Sequence, residues 1–131
     1  MKKKISLGFI LLVLAGCGEK AMTAQDIVAQ FKLAGVEIMD VKTPDRNPKS
    51  PIPNSYKEHI SFSIPEVAPK GGQIFTCDKK EYCDAIYSYF DALKAFAGPY
   101  TYQSKNGLVV IQLNSGLTPE TAEKLKAVII K

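Results

Sequence analysis

His59 is the single histidine of the chain and its best candidate for acid–base chemistry near neutral pH. Catalysis would require a nucleophile or a second acid–base group held against it. Ser61 and Ser63 follow on the same face of a predicted strand, but they do not lie in a G-x-S-x-G sequence. A histidine on an exposed strand surface explains the pattern as well. The sequence therefore does not predict an enzyme.

Two further patterns could belong to a chemical site. Glu81, Asp84 and Asp91 fall near one side of a predicted helix, where a solvated helix face is the simpler interpretation than paired catalytic carboxylates. Gly71-Gly72 lacks the lysine and hydroxyl residue of a phosphate-binding loop. The chain contains no constellation with the spacing of metal ligands. We expect no metal and no cofactor.

Binding signals are stronger than catalytic ones. Tyr100 and Tyr102 alternate along a predicted strand and share one of its faces. Tyrosine combines apolar area with a polar hydroxyl, which favours it at interfaces. The alternative is that the pair fills part of the core.

A second candidate surface lies in residues 42–55, which contain half of the eight prolines of the chain. Proline removes a backbone donor and fixes φ, so this segment is predicted to be an extended, exposed loop. Arg46 and Lys49 would then be available to a partner. Such loops often carry function but can equally be simple connections.

Three segments have the periodicity of amphipathic helices. Thr23 and Asp26 form a capping box for the first, Asp78 and Glu81 are expected to form one for the second, and Thr118 is expected to cap the third. The apolar positions predicted to face the core are Ile27, Val28, Phe31 and Ala34 in the first helix, Tyr82, Ile86, Tyr89, Phe90, Leu93 and Phe96 in the second, and Ala122, Leu125, Val128 and Ile129 in the third.

Five segments read as strands. Gly71-Gly72 is expected to turn the chain into the third strand, and Asn106-Gly107 is a strong hairpin signal between the last two. The last strand is apolar on both faces, so it is expected inside the sheet. The predicted strands cover residues 36–41, 56–64, 73–77, 100–104 and 108–113.

The first residues look like a targeting segment. Residues 2–4 are lysines, and residues 5–14 form an apolar stretch of about ten residues, half of the roughly 20 that span a bilayer. Leu14-Ala15-Gly16-Cys17 follows, with small residues before a cysteine thiol that can be alkylated.

Residues 1–20 resemble the precursors of bacterial lipoproteins, and Leu14-Ala15-Gly16-Cys17 matches their lipobox at every position. The resemblance implies that residues 1–16 are removed as a type II signal peptide. Cys17 would then carry a diacylglycerol and an N-acyl chain. Gly18 stands where an aspartate would retain the protein in the inner membrane. In a Gram-negative cell this implies the outer membrane, facing the periplasm; otherwise it implies the outer face of the cytoplasmic membrane.

Cys77 and Cys83 remain as an even pair in an exported domain, and oxidising compartments favour a disulfide. Zinc would need four ligands, and five intervening residues do not match the C-x-x-C of thiol exchange. A bridge between them would join the end of a strand to the helix that follows.

The formal charge of +4 comes largely from the leader. Without its three lysines the chain has 14 basic and 13 acidic side chains, so a nucleic-acid partner is not expected.

The fold class predicted for residues 22–131, after a lipidated tether at 17–21, is a single α+β domain. It has a mainly antiparallel sheet of about five strands, helices on one face, and the order α-β-β-β-α-β-β-α. The function predicted is that of a non-enzymatic envelope lipoprotein that binds another envelope protein. That protein could be a receptor, a secretion or conjugation component, an inhibited enzyme or a phage-exclusion target. A carrier of a lipid or peptidoglycan fragment is the alternative, and a hydrolase ranks third.

Overall fold

The computed structural model describes residues 22–130, and the secondary-structure elements follow the predicted order. The predicted second helix is divided into two. The elements are α1 (Ala24–Leu33), β1 (Met39–Lys42), β2 (Glu58–Ser63), β3 (Gly71–Thr76), α2 (Lys80–Ala92), α3 (Lys94–Ala97), β4 (Thr101–Gln103), β5 (Val109–Leu113) and α4 (Pro119–Ile130), with a 3₁₀ turn at Pro65–Val67.

The predicted leader, the lipobox cysteine Cys17 and the tether at 17–21 lie outside the described residues. Within residues 22–130, the helices are all too short or too polar to cross a membrane.

The five strands form one sheet in the order β1-β2-β3-β5-β4, and every neighbouring pair is antiparallel. Strand β5 lies inside the sheet, as its apolar sequence predicts. This arrangement confirms the α+β class, the five-stranded antiparallel sheet and the order of its elements.

Helices α1 and α4 cover one face of the sheet. Ile74 and Ile111 point to this face from β3 and β5, and they pack in one cluster with Phe31 of α1 and Leu125 of α4. Phe31 also meets Phe62 of β2 edge to face, with ring centroids 5.8 Å apart. The larger of the two cores lies here.

Helix α2 packs on the opposite face, so the predicted placement of helices on one face holds only for α1 and α4. Successive residues of a strand point to opposite faces. Phe75 and Val110 therefore turn away from the first core and pack with Cys83, Ile86 and Phe90 of α2. Because β3 and β5 are apolar on both faces, each face needs a cover.

Two of the three predicted helix caps are confirmed. The Asp26 amide donates to Thr23 Oγ1 at 3.0 Å, and the Thr23 amide donates to Asp26 Oδ2 at 3.1 Å. The Thr121 amide donates to Thr118 Oγ1 at 3.2 Å at the start of α4.

The capping box predicted from Asp78 and Glu81 is wrong. Helix α2 begins one residue later than that box requires, so Lys79 takes the cap position, and no side chain of the described residues caps it. Asp78 instead lies 3.9 Å from the Lys57 ammonium group.

Gly71 and Gly72 belong to β3 and do not form the predicted turn. The 3₁₀ segment Pro65–Val67 supplies the change of direction before them. A Cβ at Gly71 would collide with the Phe62 carbonyl oxygen. The glycine therefore serves a close approach of backbones and not a turn.

Phe96 was predicted to continue the apolar face of the second helix, but its side chain is 88% exposed. Helix α2 ends at Ala92, and the Leu93 amide donates to the Phe90 carbonyl oxygen, three residues back, at 3.1 Å. The helical periodicity restarts in α3, which turns Phe96 to solvent.

Cys77 and Cys83 form the predicted disulfide, with Cα atoms 5.8 Å apart. Both cysteines are buried in the α2 core. Cys77 follows β3 directly, and its amide donates to the Leu108 carbonyl oxygen at 2.9 Å. The bridge thus joins the centre of the sheet to the first turns of α2.

Replacing both cysteines by alanine should lower the free energy of unfolding by about 2 kcal/mol, because a short covalent loop restricts the unfolded chain. Denaturant titration of the wild type and the double variant measures the difference. A reductant should lower the stability of the wild type to that of the variant without affecting the variant. Equal stabilities of the oxidised wild type and the variant would contradict the structural role of the bridge.

Candidate binding groove

The proline-rich loop at residues 42–55 folds back onto the sheet. Ile52 of the loop and Tyr56 after it pack against the α2 core. The Arg46 guanidinium lies over the Tyr56 ring, 4.1 Å from its centroid, and donates from Nη1 to the Asn54 carbonyl oxygen. Arg46 thus joins the two ends of the loop and gives it a defined conformation.

His59 is half-buried beneath this loop, whereas the sequence suggested an exposed strand histidine. Its ring stacks on Phe75 with centroids 4.2 Å apart and planes at 12°. Tyr56 meets the His59 ring edge to face at 5.3 Å. The face that seemed to be the polar side of β2 is the second covered face of the sheet, which explains the difference.

A ladder of polar side chains begins at His59 and crosses the sheet. His59 Nε2 lies 2.8 Å from Gln73 Oε1, and Gln73 Nε2 donates to Gln112 Oε1 at 2.9 Å. Gln112 Nε2 then donates to the Ala97 carbonyl oxygen at 3.2 Å. With the Gln73 oxygen facing the histidine, this hydrogen bond requires the neutral tautomer that carries its proton on Nε2.

The loop and β2 enclose an open groove of about 410 Å³, lined by Gln25 and residues 43–46 and 56–60, which we call the Arg46–His59 groove. The Glu58 carboxylate in its wall is already occupied, since Oε1 accepts from the Ala24 amide at 2.9 Å and from Thr76 Oγ1 at 2.8 Å. The rest of the lining includes the Arg46 guanidinium, the His59 ring and the Tyr56 ring, together with the charged side chains of Asp45 and Lys57.

A second open groove of about 340 Å³, here the polar groove, lies further along the same face. Its lining carries hydroxyl, amide and charged groups, and α2 does not cover it. Neither of these two grooves is an apolar cavity between helices and sheet. The polar groove is lined by Asp40, Lys42, Ser61, Phe62, Ser63, Pro69, Lys70, Gly71, Gly72, Gln73, Gln112 and Asn114.

Tyr100 and Tyr102 lie at the opposite edge of the sheet, on β4 and just before it. Both are half-buried and pack against the α1–α4 core. Burial raises the pKa of the Tyr102 hydroxyl, and the negative charge of Glu123 and the neighbouring Tyr100 raise it further. The Lys126 ammonium lies 5.5 Å from the Tyr102 ring centroid. The structure thus favours a packing role for this pair.

The predicted binding residues therefore fall into two separate places. Strands β2, β3 and β5 lie between β1, which leads into the loop, and β4. Arg46 stands in the groove, and Lys49 is exposed in the loop, where its amide donates to Asn47 Oδ1 at 2.9 Å. Tyr56, Gln73 and Gln112 are site residues that sequence reasoning did not single out.

The hydroxyl groups predicted to accompany His59 are not bonded to it. Ser63 is buried and donates from Oγ to the Pro69 carbonyl oxygen at 2.8 Å, while His59 Nε2 is bonded to Gln73. In the part of the chain from residue 22 to 130, His, Cys, Asp and Glu do not gather in groups of three that could hold a metal ion.

No protein-family model, curated protein or solved structure matches the chain. The functional interpretation therefore rests on the sequence of residues 1–20, with its resemblance to lipoprotein precursors, and on the geometry of the groove.

Acidification below pH 6.5 should destabilise the domain through His59. Burial lowers the pKa of the ring below 6.5, and the charge of Arg46 lowers it further, although the hydrogen bond to Gln73 opposes both. The unfolded chain thus binds more protons in this window, and stability falls as the pH drops from the unfolded pKa through the folded one.

Denaturant titrations between about pH 7.5 and 5 test this, because His59 is the only histidine. The His59→Gln variant should show a shallower loss of stability over that interval. Parallel pH profiles for the two proteins would show that His59 is not the titrating group.

Proposed function

We propose that this protein is a lipid-anchored, non-enzymatic binding protein of the bacterial envelope, and that its partner is another envelope protein. The Arg46–His59 groove and the loop at residues 42–55 make the contact. The observation that carries this proposal is the stacking of Arg46 on Tyr56, which holds an exposed proline-rich loop in one conformation beside an open groove.

A loop that is ordered before binding loses less conformational entropy when the partner arrives. Four prolines and the Arg46–Tyr56 contact supply that order. Arginine and tyrosine are also the residue types that most often dominate the binding energy of protein interfaces. A groove of about 410 Å³ is at the small end for a complete ligand but accommodates one or two side chains of a partner.

The lipobox at Cys17 supports the anchor. Several acyl chains on one cysteine would hold the domain durably, since a single chain gives only marginal membrane binding. Confinement to a membrane raises the effective concentration of the domain towards partners in the same layer. A shallow groove of modest intrinsic affinity can then suffice.

The polar groove favours one second function, the binding of a polar peptidoglycan fragment. The Ser61 hydroxyl and the exposed charged groups of Asp40, Lys42 and Lys70 could form hydrogen bonds with sugar or peptide groups. The same lining is unsuited to a lipid chain, which needs apolar walls.

The Cys17→Ser variant should remain as an uncut precursor without incorporated fatty acid, because the thiol is the atom that is alkylated. Metabolic labelling with palmitate and intact-protein mass measurement report both properties. The matched Cys77→Ser variant should still be cut and labelled. Normal processing of Cys17→Ser would contradict the anchor.

A photo-crosslinking residue introduced at Lys49 in intact cells should capture one dominant protein partner, because Lys49 is exposed on the loop. Arg46→Ala should weaken that partner's binding by roughly 10- to 30-fold, through loss of the stacked cation and release of the loop. Arg46→Lys should fail to restore it, since lysine cannot reproduce the planar contact.

Lys124→Ala provides the matched control, since Lys124 is exposed on α4 and lines neither groove. In this control variant, the probe at residue 49 should capture the partner as efficiently as it does in the otherwise wild-type protein. If a probe at residue 102 captures the partner and a probe at residue 49 does not, the interface lies at the β4 edge. Co-purification of a glycan without a protein partner would favour the second function.

A further inference from the structure

The two ends of the β2 and β3 strands differ in the loops and side chains that surround them. Glu58 and Thr76 pair at one end of the β2–β3 ladder, which we call the near end, and Ser63 and Gly71 pair at the far end. Six residue pairs separate the two ends by about 17 Å, at roughly 3.3 Å per residue.

Helix α1 begins at the near end. The Glu58 carboxylate accepts from the Ala24 amide at 2.9 Å and from Thr76 Oγ1 at 2.8 Å, so one side chain ties the start of the helix to two strands. Gln25, the next residue of the helix, lines the Arg46–His59 groove. The chain therefore enters the domain beside the groove.

Cys17 precedes Ala24 by seven residues. A chain of that length reaches at most about 25 Å when fully extended, and a flexible one spans about 15 Å on average. With Cys17 acylated, the near end is held within about 25 Å of the lipid headgroups. Strands that run away from the membrane would place the far end about another 17 Å beyond it.

The near end carries charges of both signs. Lys57, Lys79, Lys80 and Lys105 lie in loops or at the helix start there, together with Asp78, Glu81 and Asp84, and Lys57 and Lys80 form ion pairs of 3.9 and 3.0 Å with two of these aspartates. This nearly balanced end is compatible with an approach to lipid headgroups, but the orientation rests on the short tether and not on charge.

We infer that the near end faces the bilayer, so that the Arg46–His59 groove lies close to the membrane to which the protein is anchored. This inference rests on the proposed acylation of Cys17. It narrows the partner to a component of that same membrane, whose contacting segment lies within about 25 Å of the headgroups. A partner in the opposite membrane would instead meet the far end.

Fluorescence quenching on vesicles tests the orientation. The lipidated protein is reconstituted into phosphatidylethanolamine–phosphatidylglycerol vesicles that contain a lipid with a nitroxide quencher on its headgroup. A thiol-reactive fluorophore is placed at the near end in Lys57→Cys or at the far end in Lys70→Cys. Both lysines are exposed, and Cys77 and Cys83 do not react because they form a disulfide.

The label at residue 57 should be quenched several-fold more strongly than the label at residue 70. Equal quenching, or stronger quenching at residue 70, would overturn the orientation while the anchor stands. If the wild-type protein carries no acyl chain and does not enter the vesicles, the proposed anchor fails and this inference fails with it. Mass measurement and vesicle flotation distinguish the two failures.

Discussion

Ile74 and Phe75 are consecutive residues of β3 and both are fully buried, and Val110 and Ile111 repeat this on β5. Consecutive strand residues point to opposite faces, so the centre of the sheet must be covered on both sides. Helices α1 and α4 meet this requirement on one face. On the other face, α2 and the short α3 lie over the part of the sheet nearest β4 and β5.

Both grooves lie along the part of this second face that the helices leave uncovered. Near β2 the loop at residues 42–55 replaces a helix, and its Ile52 together with Tyr56 closes the α2 core over Phe75. Beyond the loop this face of the sheet is polar. Gln73 and Gln112 form a hydrogen bond with each other across the strands, so no helix has to cover this part of the face. His59 stands at the boundary, with its ring on Phe75 and its Nε2 in the polar ladder.

Local sequence signals predicted the parts of the fold that local physics determines. The capping box at Thr23, the hairpin at Asn106-Gly107 and the Cys77–Cys83 bridge each depend on residues close together in the chain. The split second helix, and with it the exposure of Phe96, depends on where the chain must turn to follow the sheet. The groove depends on contacts across the sheet, since Arg46 reaches it from the loop and Gln112 from β5. A single sequence offers no periodicity that brings such residues together.

Two connections at the near end of the domain join elements that are separate in the fold. Glu58 joins α1 to β2 and β3, and the Cys77–Cys83 bridge joins the end of β3 to α2 within one residue of Thr76. A pull on the chain before Ala24 would therefore be transmitted to the interior of the sheet and not to a single helix. The groove lies against the same connections, because His59 follows Glu58 directly. If the proposed acylation of Cys17 holds the domain by its first residues, a load on the anchor reaches β2 and β3 directly beside the groove.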